Sequence, residues 1–162
     1  MLGKQRHAML EPGAAAPSFS LKTLNGTSLA SGDVLTKGPA LLAFFKVGCP
    51  VCQLTFPYLE RLAHNNAVQV IGVSQDDVEA TSKFNERFGV TFPTVLDEPE
   101  KQYPASNEFG ISSVPSLFLI ETDGSISKSF SGFSKRDLQE LGERVGVKPF
   151  QPDEKVPEFK AG

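Results

Sequence analysis

A chain of 162 residues with 40% hydrophobic residues has the length of one compact domain and the material for its own core. Its net charge of −3, from 16 Lys and Arg against 19 Asp and Glu, leaves no basic stripe that would neutralise a phosphate backbone, which argues against a nucleic-acid partner. No run reaches the roughly 18 apolar residues of a membrane span, and the opening MLGKQRHAMLEPGAAAP lacks the apolar stretch of a secretory signal, so the chain as given reads as cytoplasmic, without a membrane partner, or as periplasmic if a leader has been removed.

In chain order, residues 1–11 read as a flexible leader. Ser18 to Leu29, with Asn25-Gly26 between two β-type runs, predicts a hairpin with a type I′ turn. Gly38-Pro39 precedes Ala40 to Phe45, a continuous apolar run that suits a central strand buried on both faces. Val51, Leu54, Tyr58 and Leu62 then recur at helical spacing, with Pro50 in the first turn and Pro57 inside, where it should kink the helix. Val68 to Ser74 predicts a strand. An aspartate of Asp76-Asp77 can cap the next helix, which carries Val78, Phe84 and Phe88 and stops at Gly89.

Phe92 to Leu96 adds a short extended segment, and one helical turn is expected near Ser106 to Phe109. Leu117 to Ile120 and Ile126 to Phe130 flank Asp123-Gly124 as a second hairpin. Ser134 and Asp137 resemble a capping box for a last helix carrying Leu138, Leu141 and Val145. Residues 12–147 thus form one domain of strands and helices, implying a central mixed sheet with helices on both faces. Residues 148–162 are polar and aperiodic, and read as a loose tail.

The chain has two cysteines, three positions apart in Gly48-Cys49-Pro50-Val51-Cys52, which cannot staple a fold of this size. At a helix N-terminus, free N–H groups and about half a positive charge favour a thiolate, so Cys49 reads as a nucleophile. Cys52, one turn in and on the same side, can attack a mixed disulfide at Cys49. Structural zinc usually takes four ligands, and beyond this pair the chain offers only His7 and His64.

The chain resembles the thioredoxin superfamily, and within it the redoxin or TlpA/ResA-like thiol–disulfide oxidoreductases related to the AhpC/TSA proteins. The likeness runs over Pro12 to Val147, through Pro17-Ser-Phe-Ser-Leu, Phe44-Phe45-Lys-Val-Gly-Cys49-Pro-Val-Cys52, Gly89-Val-Thr-Phe92-Pro93 with Val95-Leu96-Asp97, and Val114-Pro115-Ser116 with Phe118-Leu119-Ile120. It implies a thioredoxin-like α/β fold with an added N-terminal hairpin. It also implies Cys49 as nucleophile, Cys52 as resolving thiol and Pro115 as a cis-proline facing them. Substrate would then meet the backbone of Val114, by strand addition, together with Gly48, Pro50 and Val51.

Two departures stand out. Gly48 replaces the aromatic residue common before the first cysteine, and the carboxylate positions of related proteins correspond to Ala43 and Gln75, which cannot accept a proton. Lys46 could favour a thiolate. The redox-active pair needs no further cofactor. The implied partners are a disulfide-containing protein or small thiol substrate and an electron-donor reductase, with the enzyme a monomer. Reduction is expected over oxidation in a cytoplasmic setting, where thiols are kept reduced.

Two alternatives stand beside this. A thiol peroxidase of peroxiredoxin type, with an antioxidant role, would place its attacking thiol at Cys52 and a threonine where Cys49 stands, and would need an arginine among Arg61, Arg87, Arg136 and Arg144. A thiolate metal-binding module could hold a soft metal between the two sulfurs, but Met1 and Met9 are the chain's only methionines.

Overall fold

The computed structural model describes residues 8–162, so His7 and Met1, which entered the metal readings, lie outside the described residues. The hairpin is strands β1 (Ser20–Thr23) and β2 (Ser28–Ala30). Its turn differs from the expected one: only Gly26 takes a positive φ, of 87°, and its N–H donates to the Thr23 carbonyl at 3.1 Å. The type I′ form needs positive φ at both central residues. Asn25 instead uses its side-chain oxygen to accept from the N–H and hydroxyl of Thr27.

A short helix the sequence did not signal, α1 (Ser31–Lys37), leads into β3 (Ala40–Phe45), all six of whose residues are buried. Helix α2 (Pro50–Leu62) continues through Pro57. Then follow β4 (Gln69–Ser74), α3 (Val78–Phe88) capped by the Asp77 carboxylate on Ala80 N–H, and β5 (Thr94–Leu96). After a 3-10 turn, Pro99–Lys101, come α4 (Pro104–Phe109), β6 (Ser116–Ile120) and β7 (Ile126–Ser131). Strand β8 (Phe133–Ser134), helix α5 (Lys135–Val145) and strand β9 (Phe159–Lys160) complete the order.

Seven strands form one mixed sheet in the order β2-β1-β5-β4-β3-β6-β7, with β3, β4 and β5 parallel and β6 antiparallel to β3. Alternation along these strands divides the core. Leu41, Ala43, Phe45, Val70 and Leu117 face a cluster with Cys52, Phe56, Phe84 and Leu138, from α2, α3 and α5. Leu42, Phe44, Ile71, Val73 and Phe118 face the other side with Val34 of α1 and Phe109 of α4. Each fully buried Phe or Leu contributes about 1.5–3 kcal/mol, which makes β3 the rigid base from which the cysteine loop departs. No helix among the described residues is long and apolar enough to cross a membrane.

Residues 8–11 and 148–162 differ from expectation. Residues 8–11 are held rather than free: Met9 and Leu10 pack against the Phe109 cluster, and Leu10 N–H donates to the Phe109 carbonyl at 3.1 Å. The segment 148–162 is also packed. Phe150 packs with tilted rings against Tyr58 and Phe133 at 4.9 and 6.1 Å between ring centroids, and Arg61 donates to both Glu154 carboxylate oxygens and to the Pro149 carbonyl. Strand β9 pairs antiparallel with β8. Apolar residues spaced through a polar stretch, Phe150 and Val156, supply the anchors that local composition concealed.

Candidate active site

Cys49 is the N-cap of α2 and Pro50 its first residue, where a missing N–H costs nothing. The cap is made by sulfur: Cys52 N–H donates to Cys49 Sγ at 3.2 Å. Cys49 is half-buried, Cys52 fully buried, and both are free thiols. Burial pushes the Cys52 thiol well above its ordinary range; its hydrogen bond with Cys49 and the charges of Cys49 and Asp76 act in the same direction, and only the backbone of Lys46 opposes them.

Across from the pair, the Val114–Pro115 peptide bond is cis. Pro115 is buried, Val114 half-buried, and the Cys49 thiol donates to the Val114 carbonyl at 3.4 Å. The structure therefore brings together Cys49, Cys52, Val114 and Pro115, with Gly48 and Pro50 exposed and Val51 half-buried beside them.

The carboxylate positions need a correction. Ala43 is buried in the cluster that holds Cys52, as a small apolar residue. Gln75 follows Ile71 and Val73 onto the opposite face, where its amide donates to Ser106 Oγ at 2.8 Å. The next residue, Asp76, returns to the Cys52 side: it accepts from Val47 N–H at 2.8 Å and its charge acts on the Cys52 thiol. A carboxylate does stand by the resolving position, one residue on from the expected one, and the two-residue alternation of β4 was the signal that could have found it.

The four arginines weighed for a peroxide site have recorded partners elsewhere. Arg61 binds Glu154, Arg144 binds Glu121, Arg136 lies 3.8 Å from Asp137, and Arg87 lies over the Phe88 ring. His64 is exposed beyond the end of α2. Among the described residues no group of three or more His, Cys, Asp or Glu is gathered as a metal site would require.

A sequence model of the AhpC/TSA family matches residues 12–129. The thiol-disulfide oxidoreductase ResA of Geobacillus thermodenitrificans is 32% identical over 138 residues, covering 82% of this chain and 77% of that one. Among solved structures, MTB DsbF, described in mixed oxidized and reduced forms, matches with a TM-score of 0.67 at 28% identity, over 79% of this chain and 92% of that one. The thioredoxin domain of a thiol-disulfide oxidoreductase from Bacteroides vulgatus shares the fold with a TM-score of 0.73 at 24% identity, over 83% of this chain and 97% of that one.

Proposed function

The chain belongs to the AhpC/TSA family, in its ResA-like thiol–disulfide oxidoreductase branch, and from that premise we propose that Cys49 and Cys52 are its reactive dithiol, acting on disulfides of polypeptides or small thiols. The observation that carries the reading is the pairing of a half-buried sulfur at a helix N-terminus with a buried one a turn later, beneath the Val114 carbonyl.

The Cys49 thiolate attacks a substrate sulfur, the substrate S–S bond breaks, and one substrate thiolate leaves. The N-terminal turn of α2 supports the negative charge on Cys49 Sγ. Cys52 then loses its proton and attacks Cys49 Sγ, releasing the second substrate thiol and leaving a Cys49–Cys52 disulfide; two electrons have passed to substrate. Asp76 is assigned as the group that takes the Cys52 proton. An electron-donor reductase restores the dithiol. Pro115 and Val114 form the wall against which an extended substrate is laid, with Gly48, Pro50 and Val51 at its rim.

The reacting groups all lie within residues 12–147 of a chain working as a monomer, with the segments on either side packed against that unit. The peroxidase reading gains nothing from the arginines, all of which have other partners. Intact-mass measurement of alkylated protein across graded redox buffers tests the proposal. A mass loss of two hydrogens, as two protons and two electrons pass to the oxidised buffer component, with both cysteines shielded together from alkylation, is expected; independent alkylation of both under oxidant would end it.

A further inference from the structure

The segment beyond α5 reaches the candidate active site. Its root is anchored: Pro149 is buried, Phe150 packs on Tyr58 and Phe133, and Glu154 is held by Arg61. Gly142 leaves room for that root, since a Cβ there would overlap the Val147 carbonyl and crowd Pro149. Its tip is held lightly, by the two-residue ladder between Phe133-Ser134 and Phe159-Lys160, by Lys135 N–H donating to the Glu158 carbonyl at 3.0 Å, and by a solvent-facing ion pair of 3.5 Å between the Lys135 and Glu158 side chains, of a kind that contributes little in water. Residues 158–162 are all exposed.

Two close approaches fix where the tip lies. At Gly132, whose φ of 77° favours glycine, a Cβ would overlap the Lys160 carbonyl, and Gly132 N–H donates to the Pro115 carbonyl at 2.9 Å. At Gly162, a Cβ would overlap the carbonyl oxygen of Val114 and lie 3.2 Å from Pro115 Cδ. That oxygen is also the acceptor for Cys49 Sγ–H.

We propose that residues 156–162 form a strap that fills the substrate-strand position beside Cys49 and sets the enzyme's selectivity: small disulfides reach Cys49 past it, whereas an extended polypeptide disulfide must displace its tip. The proposal rests on the reading of Cys49 as nucleophile and Val114 as substrate-facing backbone. A firmly rooted and weakly laddered strand suits reversible displacement, because substrate backbone laid against Val114 would take the space that Gly162 occupies beside its carbonyl. Phe159, 57% exposed, is the side chain such a substrate would meet first.

The test uses the full chain carrying Cys52→Ser, with and without Lys160→Pro: Lys160 is paired with Phe133, two residues on from the bonded Lys135–Glu158 pair, so its N–H faces β8 and its loss interrupts the β8–β9 ladder. Two probes carry the same leaving group: an eight-residue peptide whose one cysteine is the mixed disulfide of thionitrobenzoate, and 2-mercaptoethanol activated likewise. Cys49 attacks the probe sulfur, the probe S–S bond breaks, thionitrobenzoate leaves and is counted by its absorbance, and a Cys49–probe disulfide remains. Lys160→Pro should speed peptide capture at least fivefold and change capture of the small probe less than twofold. In the parent adducts, the Lys135 amide should lose exchange protection with the peptide and keep it with the small probe. Equal effects on both probes, or a peptide adduct with Lys135 still protected, would overturn the strap. Release of thionitrobenzoate from neither probe would instead sink the reading of Cys49 on which it rests.

Discussion

The backbone N–H of Cys52 points at the sulfur of Cys49, 3.2 Å away, so the first turn of α2 directs its donors at one member of the pair and leaves the other to the core. The buried member is supported only by the backbone of Lys46, and desolvation outweighs it and pushes the thiol up.

Iodoacetamide should therefore label Cys49 before Cys52 in the reduced protein near neutral pH, by at least about tenfold, since each unit that the Cys52 thiol is raised lowers its thiolate fraction about tenfold. Peptide mapping after short exposures measures the ratio. Preferential labelling of Cys52 would reverse the two roles.

How much of this was legible beforehand follows physical lines. Strand β3, helix α2 and the β6–β7 hairpin announce themselves because apolar periodicity and turn residues are local signals. Helix α1 does not: its seven residues bury only Val34, and its N-cap, Ala30, makes no side-chain hydrogen bond. The β8–β9 ladder pairs Phe133 with Lys160, positions far apart in the chain and only two residues deep, so neither run carries a pattern of its own. The carboxylate position was assigned to Gln75, whereas the carboxylate by Cys52 is Asp76: just past β4, neighbouring residues still fall on opposite faces, so a one-residue offset changes the side reached. The cysteine pair was readable since its chemistry needs only spacing and a helix start.

The Cys52 thiol also predicts a stability slope. Its ordinary value is 9.0 and burial holds it higher in the folded state, so above pH 9.0 the unfolded chain loses a proton that the folded chain retains. Stability supplied by the protonated thiol is complete below pH 9.0 and falls as pH rises beyond it, by up to about 1.4 kcal/mol per pH unit. Urea unfolding of reduced wild type and Cys52→Ala at pH 8 and pH 10 should show a smaller loss in the variant. Tyr58, also raised mainly by burial, adds a slope of the same sign to both proteins, so the difference isolates Cys52.

Gly72 tests the sheet beneath the site. It stands opposite Ala43, and a Cβ there would lie 3.2 Å from both Phe45 Cε1 and Thr94 Oγ1 and 3.4 Å from Phe92 Cε1. Gly72→Val puts a branched side chain into that packed space, on the face where β3 meets α2. A loss of about 1–3 kcal/mol is expected from overpacking, read as a lower denaturant midpoint with little change in slope. An unchanged midpoint would mean that this part of the core yields more readily than its contacts indicate.

Asp76 carries the most specific prediction about chemistry. Its carboxylate accepts from Val47 N–H at 2.8 Å, and its charge is among the influences that raise the Cys52 thiol. Asp76→Asn keeps an acceptor for Val47 and removes both the negative charge and the proton acceptor. The two losses pull in opposite directions. Removing a neighbouring negative charge makes the Cys52 thiolate easier to form, which alone would speed resolution; removing a general base, typically worth about 10²–10⁴ in rate, would slow it. If Asp76 takes the proton from Cys52, the second effect wins. Resolution of a mixed disulfide at Cys49 should then slow by about a hundredfold near pH 7, its rate should climb with hydroxide as solvent takes over, and formation of that mixed disulfide should change little. Stopped-flow release of the second substrate thiol, followed from pH 6 to pH 10 in both proteins, separates the outcomes. A variant that resolves as fast as wild type, or faster, across that range would confine Asp76 to holding the Val47 backbone in place.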